Sequence, residues 1–279
     1  MTDLHHDDAS GLGIYLYCLA RPECLSAVKG LVEHELRGVD ERYPVAAFRS
    51  AGVAALIGEV VIADFSDENL QTLSWLGTRA DRHEAVVERI MGASTVLPVK
   101  FGTIFRSRES LAEFLGRHRE DIVQALDKLR DKTEWSVKGY LVEEDARRII
   151  GAADPEIRSR LAALSSSPGA RYLQQKQLDA MIEAALEAGV ARVTHDLHQA
   201  LTLHAVASTA LRRHASAVTG RPERMIFNDS FLLTPETLID FRTALAEQQD
   251  AYKAIGLTLE MRGPWPPYNF CPNLSAAEA

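Results

Sequence analysis

Short runs of β-branched and aromatic residues alternate along this chain with longer stretches of helical period, which restricts it to a mixed α and β architecture. Gly13–Leu19 (GIYLYCL) predicts a strand, and Pro22–Leu36 predicts a helix with Leu25, Val28, Val32 and Leu36 on one face. Tyr43–Arg49 and Val53–Asp64, joined by Ser50-Ala51-Gly52, predict a hairpin. Asp67 is placed to cap a long helix through Met91, whose seam is Leu73, Leu76, Ala80, His83, Val87 and Ile90. Thr95–Thr103 (TVLPVKFGT) predicts a strand at a sheet edge or bulge, because Pro98 cannot donate to a ladder. Ser107 or Ser110 can cap the next helix, with Glu113 completing a capping box from Ser110. Leu111, Phe114, Leu115, Ile122, Leu126 and Leu129 form its apolar stripe. The order β-α-β-β-α-β-α is compatible with a ferredoxin-like α+β layer carrying an extra helix.

A second set of elements follows the charged Arg130-Asp131-Lys132. Trp135–Val142 predicts a strand, and Glu143–Leu164 a charged helical stretch broken near Asp154-Pro155. After the loop Ser165–Gly169, a helical pattern runs from about Ala170 to Ala217 without an internal proline. Val190, Val193, Leu197, Ala200, His204, Ala207, Leu211 and His214 alternate by three and four in it, as in a helical hairpin or short coiled coil. Arg224–Leu233 then predicts a strand, Thr234-Pro235-Glu236 a helix start, and Leu257–Met261 a last strand. Gly263–Phe270 (GPWPPYNF) holds three prolines and three aromatics in eight residues, and predicts a stiff extended strap. It either packs onto its own domain or presents an aromatic surface; Trp265 is expected to be mainly structural and Tyr268 nearer the surface. The expected organisation is α+β throughout. Residues 1–12 are a flexible lead, 13–132 an N-terminal ferredoxin-like domain, and 133–279 a C-terminal α+β domain with a long coiled-coil-like helix and the proline-aromatic strap.

Composition excludes several classes of function. Over 279 residues, 31 Lys and Arg against 39 Asp and Glu leave a formal charge of −8, so the chain as a whole repels nucleic-acid phosphate and anionic lipid surfaces. The longest stretches free of charged residues, Leu197–Leu211 and Gly263–Ala277, are broken by polar residues or proline, and a membrane span needs about 20 mostly apolar residues. The opening MTDLHHDDASG has neither the cationic nor the apolar region of a secretory signal. Three cysteines, Cys18, Cys24 and Cys271, form no CxxC, and their sparse odd count fits a reducing compartment. A cytoplasmic protein is expected.

Chemistry is scarce. No nucleophile elbow, phosphate-binding loop or zinc signature is present, and no catalytic site, metal or cofactor is expected. Gly11 and Gly13 lack a third glycine and precede the first strand, whereas a dinucleotide loop follows one. His5, His6, Asp7 and Asp8 read as a solvated tail, and His195 and His198, three apart on a helix, lack carboxylate partners at ligand spacing. His83 reads as a satisfied core or interface histidine. Glu143-Glu144 and similar carboxylate pairs lie on solvated helical faces.

Two motifs go further. The block VLPVKFGTIF (Val96–Phe105) and the terminal GPWPPYNF (Gly263–Phe270) resemble the gas vesicle GvpL/GvpF proteins, whose closing sequence is GPWPPYSF. YLYCLA (Tyr15–Ala20), AGVAALIGEV (Ala51–Val60) and NDSFLL (Asn228–Leu233) support the resemblance in the same order, across nearly the whole chain. There are departures: Asn269 stands where the family usually has serine, and Arg171 in Pro168–Leu173 replaces a family lysine, shifted in position. The resemblance implies an accessory or minor structural protein of the vesicle, without enzymatic activity. Its implied partners are the small apolar shell protein GvpA and other gas vesicle accessory proteins, in the cytoplasm in association with the vesicle. The shell protein would aggregate if free, and a protein binding it could hold it soluble or nucleate the first ribs. The residues expected to meet a partner are Pro98, Phe101, Gly102, Phe105, Trp265, Pro266, Pro267 and Tyr268. The alternative is a small-molecule- or haem-binding enzyme of the dimeric ferredoxin-like barrel type, with His83 and His204 as candidate ligands.

Overall fold

The structure, a computed structural model, describes residues 11–32 and 36–274. Residues 1–10 of the expected lead, with His5–Asp8, lie outside the described residues, as do residues 33–35 of the first expected helix. The chain divides into two compact units: Met1–Thr133 with Trp265–Ala279, and Glu134–Pro264. The terminal strap, expected with the second half of the chain, thus groups with the first.

The first unit contains β1 (Leu12–Ala20), α1 (Cys24–Gly30), β2 (Ala46–Ser50), β3 (Val53–Val61), α2 (Asp67–Gln71), α3 (Leu73–Met91), β4 (Val96–Pro98), β5 (Ile104–Phe105), α4 (Arg108–Arg117) and α5 (Arg119–Leu129). Its sheet runs β2-β3-β1-β4, with β5 also paired to β1, and these pairs are antiparallel. This is the ferredoxin-like order. Pro98 sits on the edge strand β4, where its missing N–H costs no ladder bond. β4 and β5 pair with different stretches of β1, and the intervening Val99–Thr103 loops out of the ladder. Val99 N–H returns to Tyr17 O, and Leu16 N–H to Thr103 O.

Successive residues of β1 and β3 are buried although they point to opposite faces, so helices cover this sheet on both sides. Val86, Val87 and Ile90 of α3 share one cluster with Tyr15, Tyr17, Leu56 and Val60, while Phe114 of α4 packs on Phe105. Helix starts depart from expectation. Ser66, not Asp67, caps α2, and the chain breaks at Thr72 before α3, where the Thr72 hydroxyl bonds back to Glu68 O. Ser107 caps α4 in a reciprocal box with Ser110, leaving Glu113 unused, and α5 restarts at His118.

The second unit contains β6 (Thr133–Leu141), α6 (Glu143–Ala153), α7 (Pro155–Ala162), α8 (Pro168–Thr202), β7 (Ala207–Ala210), α9 (Ser216–Thr219), β8 (Arg224–Leu233), α10 (Pro235–Tyr252) and β9 (Leu257–Trp265). Its sheet runs β7-β8-β6-β9. In both sheets the spatial order is second, third, first, fourth, so the second unit repeats the strand order of the first. The expected helix through Ala217 stops at Thr202. Ala207–Ala210 instead pairs with Asp229–Leu232. Leu186, Val190, Val193, Leu197 and Leu201 of α8 are buried with Phe227, Phe231 and Phe241, so the seam forms the unit's own core. Thr234 caps α10 with Pro235 in its first turn, as the sequence predicts.

Candidate functional site

The candidate site grows from β1. A bulge at Tyr17 interrupts its pairing with β3, and Tyr15 and Tyr17 both meet the ring of His83 on α3. Tyr17 stacks on that ring at 5.7 Å and 27°, and Phe101 closes it edge-on. Buried tyrosine hydroxyls need partners. Tyr17 Oη accepts Val39 N–H at 2.9 Å, in a space that a Cβ on Gly38 or Gly58 would enter at 2.7 and 3.1 Å. Burial pushes the Tyr17 phenol up to about 12.

His83 is 2% exposed, and its tautomer follows from its neighbours. Val99 O, 3.2 Å from Nε2, can only accept, so Nε2 carries the proton and shares it with Tyr268 Oη at 3.1 Å. Nδ1 is then an acceptor, and the Tyr15 hydroxyl donates to it at 2.9 Å while accepting Gly102 N–H at 3.1 Å. Tyr268 completes the chain by donating to Glu84 Oε2 at 3.0 Å. Burial holds His83 neutral, lowering its pKa from 6.5 to about 4. Burial first, then the Glu84 carboxylate, raise the Tyr268 phenol.

The terminal strap therefore ends in the first unit. Pro266 and Pro267 are buried, Tyr268–Phe270 forms a 3₁₀ turn, and the chain continues along a cavity of about 660 Å³. Leu97, Pro98, Val99, Lys100 and Thr103 form one part of the cavity wall, and Tyr268, Asn269 and Cys271–Leu274 another. The strap is not extended throughout, and the roles expected for its aromatics are exchanged. Trp265, at the end of an edge strand, is 38% exposed, whereas Tyr268 is half-buried because its hydroxyl is drawn to His83 and Glu84.

Of the eight residues singled out in the sequence, Phe101, Gly102 and Tyr268 gather around Tyr15 and His83, and Pro98 lines the same cavity as Tyr268. Gly102 has φ +81°, which a side chain would disfavour. Phe105 is buried against Phe114, apart from that group. Sequence reasoning missed Tyr15 and Glu84, whose roles depend on partners remote in the chain. Of the two histidines considered as candidate ligands, His83 has both ring nitrogens committed to internal hydrogen bonds, and His204 lies in the turn after α8. Among the described residues no helix is long and apolar enough to cross a membrane.

Fold and site together define a two-unit α+β protein with a repeated ferredoxin-like strand order and a proline-aromatic terminus locked onto the first unit. Residues 13–272 match the family described as gas vesicle synthesis protein GvpL/GvpF, and the chain belongs to that family. It is 25% identical over 260 residues to gas vesicle protein L of Streptomyces sp. (strain CB03234), covering 92% of this chain and 91% of that one. It is 27% identical over 276 residues to gas vesicle protein L2 of Halobacterium salinarum, covering 95% and 94%. The crystal structure of GvpF from Anabaena sp. PCC7120 superposes with a TM-score of 0.70 at 19% identity, covering 93% of this chain and 98% of that one. The likeness of fold extends to GvpF from Microcystis aeruginosa, with a TM-score of 0.64 at 19% identity.

Proposed function

We propose that this protein acts while the gas vesicle shell assembles, by binding the small apolar shell protein GvpA, keeping it from aggregating and helping the first ribs to form. One observation carries the reading. The two segments that bear the family's most distinctive sequences, far apart in the chain, lie side by side around one cavity of the first unit. Exposed Lys100 and Asn269 line that cavity together with Pro98 and Tyr268, and Trp265, 38% exposed, stands three residues before Tyr268 on the same strap. An aromatic side chain on a rigid support suits an apolar partner, because it buries a large area at small entropic cost. The role is non-enzymatic, in the cytoplasm and in association with the vesicle, alongside other gas vesicle accessory proteins.

The test is a solubility assay. Shell protein diluted from denaturant should stay in the supernatant in proportion to added protein, saturating at a fixed ratio. Sedimentation indifferent to the added protein would overturn the reading.

A further inference from the structure

The sheet of the first unit has two edges. Pro98 blunts the one at β4, whereas β2 carries neither proline nor bulge between Ala46 and Ser50. The turn between β2 and β3 decides where the β2 backbone points. Ala51 and Gly52 both have positive φ, 49° and 73°, as in a two-residue type I′ hairpin, which closes on a hydrogen-bonded pair, here Ser50 with Val53. Bonded and open positions alternate along an antiparallel pair. Ser50, Phe48 and Ala46 therefore bond to β3, while the N–H and C=O groups of Ala47 and Arg49 aim outward. Both residues are exposed, and among the described residues no strand lies beyond them.

A groove of about 590 Å³ runs beside that edge, between β2 and α1. Val45, Ala47 and Arg49, which share a face by alternation, line it on one side, and Leu25, Val28 and Val32 on the other. The Arg49 guanidinium donates to Pro22 O at 3.1 Å, at the end nearest the start of α1, and meets no carboxylate among the described residues. The charged residues that line the groove, Lys29 and Arg49, are both cationic. The open backbone thus suits an extended strand, the groove suits apolar side chains at every second position, and Arg49 suits a carboxylate. A second copy paired edge to edge would bring another Arg49 instead. We propose that β2 takes up an extended segment of a partner protein as an added antiparallel strand, with apolar side chains toward the groove and a carboxylate opposite Arg49. The proposal is independent of the shell-binding reading, whose cavity lies at the β4 edge of the same sheet.

The test is an NMR titration of the ¹⁵N-labelled full chain with the peptide acetyl-Thr-Glu-Thr-Val-Thr-Val-Thr-amide, whose glutamate and valines share one face. Saturable downfield shifts of the Ala47 and Arg49 amide protons, with slower exchange against solvent, are expected, and β4 should not respond. N-methylation of the glutamate and the first valine removes the N–H groups that would face β2, and should weaken binding at least tenfold. Lysine in place of the glutamate should do the same. Ala47→Pro deletes one outward N–H without touching the β3 ladder, and should also weaken binding at least tenfold. If that variant does not fold, Arg49→Glu should lose the glutamate peptide and gain the lysine one. No saturable shift, equal binding of the N-methylated peptide, or full affinity in a folded variant would overturn the proposal. A dimer that forms without peptide and is lost in Ala47→Pro would assign the edge to a second copy and overturn it as well.

Discussion

His83 Nε2 and Tyr268 Oη stand 3.1 Å apart across 185 residues of sequence. That contact ties the chain's last turn to the long helix α3 and to the loop after β4. It also places a hydroxyl that both accepts and donates at a half-buried position.

Tyr268→Phe keeps the ring and removes both hydrogen bonds. A bond to a charged acceptor and a shared bond from a buried imidazole together predict a loss of about 1–3 kcal/mol. Urea unfolding of the variant should show a lower midpoint at unchanged slope. An unchanged midpoint would mean that the strap is held by packing alone.

Acid should weaken the protein through His83. Its folded pKa, about 4, lies below 6.5, so between these values the unfolded chain binds more protons and stability falls as pH falls. From pH 7 to pH 5 the contribution is about 2 kcal/mol. Denaturation midpoints measured at both pH values should differ clearly in the native protein and much less in His83→Gln. Equal slopes in the two proteins would remove His83 as the cause.

Two glycines should respond with opposite signs to alanine. Gly77 lies inside α3 with open space where a Cβ would go, so Gly77→Ala should stabilise by about 0.5–1 kcal/mol. At Gly139 on β6 a Cβ would sit 2.9 Å from Phe227 Cβ, and overpacking there should cost about 1–3 kcal/mol. Thermal melts of the two variants would check this; a shift of the same sign in both would contradict the packing described for β6 and β8.

The sequence made the first unit legible because its signals are local. Pro98 announced an edge, and the hairpin, the stripe of α4 and α5 and the seam of α3 followed ordinary periodicity. The second unit hid its strand order at β7. Ala207, Leu211 and His214 continue the three-and-four spacing of α8, yet pairing of Ala207–Ala210 with β8 overrides it, since strand formation depends on the neighbouring strand more than on the residues themselves. Motif resemblance picked out Pro98, Phe101, Gly102 and Tyr268, but nothing local announced that Tyr15 would meet His83, 68 residues away. The exposure of Trp265 and the burial of Tyr268 were read in reverse for the same reason: the hydroxyl's destination is a tertiary fact.

If the strap and the Val96–Phe105 block meet the shell protein, the exposed ring of Trp265 on the strap contributes to the contact. The decisive measurement is affinity for the apolar shell protein, taken for the native chain and for Trp265→Ala alongside their melting temperatures. A saturable complex is expected that weakens at least tenfold in Trp265→Ala, equivalent to about 1.4 kcal/mol, while the melting temperature barely moves. No complex with the native chain, or an undiminished affinity in the folded variant, would contradict it.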